Sequence, residues 1–64
     1  MNDHAMTAAK ARKLASEYRA RSMETGISQK RTSLLTNISR TFSGLASQLE
    51  MLEADVAEER KGLQ

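Results

Sequence analysis

Cysteine, proline and tryptophan are missing from this chain, and histidine, tyrosine and phenylalanine occur once each. Without cysteine there is no disulfide to staple a small fold and no thiolate to hold zinc. The lone His4 has no second imidazole beside it and is read as solvated. No glycine-rich phosphate loop, HExxH helix or nucleophile–base set occurs. Glu50 and Glu53 lie three apart and are read as part of a solvated helix face. The chain is therefore expected to be no enzyme, with no catalytic, cofactor-binding or metal-ligating residues. Two aromatic rings, Tyr18 and Phe42, provide poorly for stacking on single-stranded nucleic acid.

No apolar run approaches the ~18 residues of a membrane span. The opening "MNDHAMTAAK" lacks the basic start and apolar middle of a secretory signal, which predicts a cytoplasmic location with no membrane partner.

What the chain does have is helical pattern. Its 64 residues allow one domain, 1–64, with residues 1–3 and 61–64 expected to fray. "AMTAAKARKLASEYRARSM" is rich in strong helix formers, with Asp3 or Thr7 placed to cap it. At about 100° per residue, Ala8, Ala11, Leu14, Ala15 and Tyr18 share a shallow packing face, suited to close approach by another helix. The helix is predicted over about 5–24. "ETGIS" follows, with a turn over about 25–28. There Gly26 suits a left-handed helix end and Ser28 suits the next N-cap, the alternative being one continuous helix or a different bend, since a helix tolerates a lone glycine at about 1 kcal/mol. A long helix is predicted over about 29–60.

That second segment carries Leu35, Ile38, Phe42, Leu45, Leu49, Leu52 and Val56 at consecutive a and d heptad positions, the pattern of a coiled-coil seam. Against it, eight of the sixteen residues from 28 to 43 are Ser, Thr or Asn, whose side chains compete with helix for backbone groups. Tertiary contacts must hold this part helical. Gly44 is expected to mark a kink or the close approach of another backbone.

So short a chain closes a core only marginally. The fold is therefore expected to be all-α, a helical hairpin that pairs with a second copy as an antiparallel four-helix bundle. Charge favours that orientation. Residues 1–40 carry eight cations against three anions and residues 41–64 two against five, a net +5 and −3. An antiparallel copy sets Lys30, Arg31 and Arg40 near the acidic "EADVAEE", with a two-fold axis near residue 47. Glu58 and Glu59 oppose the macrodipole near a helix C-terminus.

Binding and regulation, not catalysis, is the expected role: a homodimer that engages a larger protein, as compact antiactivators and inhibitors do. Met6, Met23 and Met51 fall outside the seams, where thioethers suit adaptable contacts. The alternative is a basic helical dimer on DNA or RNA phosphates, through Lys10, Lys13, Arg21, Lys30, Arg31 and Arg40. "TGIS" with Gln29 resembles the turn of helix-turn-helix readers. That resemblance implies "QKRTSLLTNISR" as recognition helix, with Gln29, Thr32 and Ser33 near base edges. In length and layout the chain is also similar to small RNA-binding hairpin dimers.

Overall fold

A computed structural model describes residues 6–62, which form two helices and no strand: α1, Ala8–Ser22, and α2, Gln29–Gly62. Thr7 stands in extended backbone, φ −103° and ψ 162°, and its hydroxyl accepts the Lys10 amide at 3.1 Å. This cap sets the start of α1 at Ala8, three residues later than the propensity pattern suggests. The other candidate cap, Asp3, lies outside the described residues, as do His4 and the termini 1–3 and 63–64.

α1 closes over its own last turn. The amides of Met23 and Glu24 donate to the carbonyls of Ala20 and Arg21 at 3.1 and 3.3 Å, so the turn begins at Met23, two residues earlier than predicted. Gly26 then takes φ +83°, the one positive φ among the described residues. That conformation costs an L-residue about 1–2 kcal/mol and glycine almost nothing. Ser28 reopens the helix, its hydroxyl accepting the Arg31 amide at 3.1 Å and its carbonyl the Thr32 amide at 3.0 Å. α2 runs on through Gly62, two residues past the predicted end. Lys61 and Gly62, expected to fray, are helical, and Arg60 and Lys61 sit in the last turn, where cations suit the macrodipole.

The helices are antiparallel. Ala8 meets Glu53, Arg12 meets Glu50 and Tyr18 meets Phe42, so partners climb one helix as they descend the other. This is hairpin geometry, not the steep crossing of a helix-turn-helix, and "TGIS" is its turn. At 1.5 Å per residue α1 spans about 22 Å and α2 about 51 Å. The end of α2 beyond Glu53 therefore lies past α1, and every residue from Met51 to Gly62 is exposed.

Small side chains fill the contact. Ala11 and Ala46 have no exposed surface, and Ala8, Ala15, Leu35 and Ser39 are buried. Ser39 enters this apolar seam at no cost in hydrogen bonding, because its hydroxyl donates to the Thr36 carbonyl at 2.9 Å. Thr41 donates likewise to the Asn37 carbonyl at 3.0 Å. Two members of the hydroxyl-rich stretch thus bond back onto their own helix, which stays continuous through it.

Gly44 marks neither a break nor a close approach: α2 is continuous across it, and a Cβ there would meet nothing within 4 Å. Gly44→Ala is expected to stabilise the fold by about 0.8–1 kcal/mol, raising Tm by roughly 4–8 °C. A thermal melt by circular dichroism with Tm unchanged or lowered would show that something does approach this site.

Candidate interaction surfaces

α1 divides the predicted seam in two. It covers the flank of α2 that holds Leu35, Ser39, Phe42, Ala46 and Leu49, where every side chain is buried or half-buried. About 90° around the helix, Leu34 and Ile38 stand 53% and 38% exposed, Leu52 and Val56 55% and 43%, with half-buried Leu45 between them. The a positions Leu35, Phe42 and Leu49 thus serve the hairpin. The d positions Ile38, Leu45 and Leu52, joined by Leu34 and Val56, form a second stripe that α1 does not close. Two helices make one layer, and no large side chain becomes fully buried.

The aromatic pair sits on the edge of this apolar face. Tyr18 and Phe42 stack with centroids 5.7 Å apart and 18° between planes, and the Arg21 guanidinium lies 5.2 Å from the Tyr18 centroid. Each such contact adds about 0.5–1.5 kcal/mol beyond burial. Tyr18 and half-buried Leu14 extend α1's contact surface past its buried alanines.

Glu50 and Glu53, read from sequence as a solvated face, both reach α1. The Glu53 carboxylate accepts the Ala8 amide at 2.9 Å, supplying an anion to a helix start whose first turn has no acidic residue. Glu50 pairs with Arg12 at 2.7 Å, with both side chains more than half exposed, so this bridge orients more than it stabilises.

The hairpin's opposite face is polar. A groove between the helices is lined by Arg12, Ala15, Ser16, Arg19, Ser22, Met23, Thr36, Ser39, Arg40 and Ser43. Of the six cations expected to meet phosphates, only Arg40 is here. Arg21 lies over Tyr18, and Lys10, Lys13, Lys30 and Arg31 are exposed without lining the groove. Arg12 and Arg19, which a single-helix projection sets on another flank from Lys10, are the residues that join Arg40. Met23 and Met51 are 67% and 73% exposed, and Met6 is half-buried.

The chain matches no family model. No curated protein and no solved structure shows significant similarity to it either. Among the described residues no group of three His, Cys, Asp or Glu converges, and no helix is long and apolar enough to cross a membrane. Any functional reading therefore rests on the two faces of the hairpin.

Proposed function

We propose that this chain is a small non-catalytic interaction protein: two hairpins pair through the open stripe as an antiparallel four-helix bundle, and the dimer binds a larger protein. The spacing of the stripe carries this reading. Leu34, Ile38, Leu45, Leu52 and Val56 are separated by intervals that read the same in both directions about Leu45. A two-fold contact needs such self-complementarity, because the same patch must serve both copies. With the axis at Leu45, two residues from the position that a/d pairing suggests, Ile38 stands level with the partner's Leu52. Leu34 likewise stands level with the partner's Val56.

Surface area and charge support the same pairing. A compact protein of 7.1 kDa exposes about 4,100 Å². The hairpin exposes 5470 Å². That excess surpasses the ~800 Å² per partner that a standard interface buries. Lys30 and Arg31 sit at the N-terminal end of α2 and Glu58 and Glu59 near its C-terminal end, both disfavoured by the helix's own macrodipole. In the antiparallel pair Arg31 comes level with Glu59, so each charge finds its complement on the other copy. Exposed pairs of this kind contribute about 0.2–1 kcal/mol, enough to select orientation.

Because the chain has no cysteine, orientation is open to a clean test. Mixed Leu34→Cys and Val56→Cys chains are expected to cross-link to each other under mild oxidation far faster than either does alone. Preferential self-linking of Leu34→Cys would mean a parallel pair. For the larger partner, exposed Met23 and Met51 lie away from the stripe and stay available in the dimer. The immobilised dimer is expected to retain one stoichiometric protein that neither a Met23→Ala/Met51→Ala chain nor a Leu45→Lys chain retains. Equal retention by all three would count against this reading.

A further inference from the structure

We infer that the polar groove on the opposite face from the dimer stripe is a binding site for the phosphodiester backbone of double-stranded nucleic acid. The inference does not rest on the dimer stripe, which lies on the other side of the hairpin, but it shares Met23 with the surface offered to a protein partner. Three guanidiniums border the groove: Arg12 and Arg19 on α1 and Arg40 on α2. Only Arg12 has a carboxylate partner among the described residues, the exposed Glu50. Arg19 and Arg40 have no carboxylate within ion-pair distance among the described residues, although Arg19 also sits in the last turn of α1, where a cation suits the helix dipole.

The lining between them is rich in hydroxyls, including Ser16, Thr36 and Ser43, none of which makes a side-chain hydrogen bond among the described residues. Arginine with serine and threonine is the donor set that reads phosphate oxygens without reading bases. The layout is also linear. Arg12 and Arg19 are two turns apart on one face of α1, about 10.5 Å along the axis. A single small anion would be held by cations that converge, whereas cations strung along a groove suit a repeating chain of charges. An acidic protein helix fits less well, because the lining offers it only Ala15 and the Met23 thioether as apolar surface. Single strands gain little, since both aromatic rings are stacked on each other by the far face and no platform is left for bases.

Fluorescence anisotropy with a labelled 20-base-pair duplex and with the matching single strand, across 50–200 mM salt, tests the assignment. Three neutralised phosphates give a slope of about −2.7 in log K against log salt, a loss of roughly 40-fold over that range. The triple variant Arg12→Gln/Arg19→Gln/Arg40→Gln is expected to lose at least tenfold in duplex affinity at 50 mM and to flatten the slope. Removing the same charge elsewhere, with Lys10→Gln/Lys13→Gln/Arg21→Gln, is expected to change affinity less than threefold. Helicity by circular dichroism confirms that each variant is folded. Equal losses from the two triple variants, tighter binding to the single strand, no duplex binding at 50 mM, or binding of a glutamate-rich helical peptide in place of duplex would each overturn the proposal.

Discussion

Leu45→Lys is expected to dissociate the proposed dimer. Leu45 is the centre of the open stripe, so a two-fold axis brings both copies of the residue together. Full burial of a leucine side chain contributes about 1.5–3 kcal/mol; Leu45 is already half-buried in the hairpin, so pairing covers about half of that on each copy, about 1.5–3 kcal/mol for the two. The substitution also places two ammonium groups at one spot in an apolar contact, where each loses hydration without gaining a partner. Together with the stranded ammonium groups, the expected loss of at least about 3 kcal/mol raises the dimer Kd about a hundredfold. Monomers with reduced helicity result, because a one-layer hairpin keeps an open apolar face. Light scattering with circular dichroism over a concentration series checks this. Wild-type mass with wild-type helicity would remove the stripe from the interface. Leu49→Glu is a less clean test, since half-buried Leu49 lies on the flank covered by α1.

The neighbouring residue reports on the other contact. Ala46 is fully buried between the helices, at the level of Ala15 in the antiparallel register, and the hydroxyl-bonded Ser39 lies two turns away on the same flank. Ala46→Leu forces three more carbons into a contact with no spare volume. Overpacking of this kind costs about 1–3 kcal/mol, which in a chain of this size lowers Tm by roughly 4–24 °C. The damage falls on α1, whose hold on α2 depends on close approach. Protection of the α1 amides from hydrogen exchange is therefore expected to drop more than that of the middle of α2. Unchanged protection and Tm would mean that the helices do not meet at Ala46. Adjacent substitutions thus separate the hairpin contact from the proposed dimer stripe, because one step along the helix turns the side chain by about 100°.

The existence of both helices and the turn was legible because their signals are local. Thr7, Gly26 and Ser28 each act on backbone groups within four residues, so residue type suggests them, while the choice of Thr7 over Asp3 and of a hairpin over one continuous helix needed the structure. The apolar period of α2 was legible for the same reason. Which flank α1 would take was not. A heptad seam states that a face is buried but not how two partners divide it. In the structure the small face of α1, Ala8, Ala11 and Ala15, meets the flank of α2 that holds Leu35, Ser39 and Ala46, a match that depends on both helices. Glu53 was overlooked because it caps a helix 45 residues away in sequence, and no spacing rule within α2 reports such a contact. A helical projection sets Arg12 and Arg19 on one flank of α1, but that Arg40 borders the same groove depends on the register between the helices. The i, i+7 spacing of Arg12 and Arg19, visible in the sequence, was the one clue to it.

Sedimentation equilibrium on the unmodified chain tests the central claim most directly. The self-complementary stripe predicts a species of twice 7.1 kDa at micromolar concentrations, dissociating on dilution together with its helical signal. A fully helical 7.1 kDa monomer that persists at millimolar concentration would contradict it.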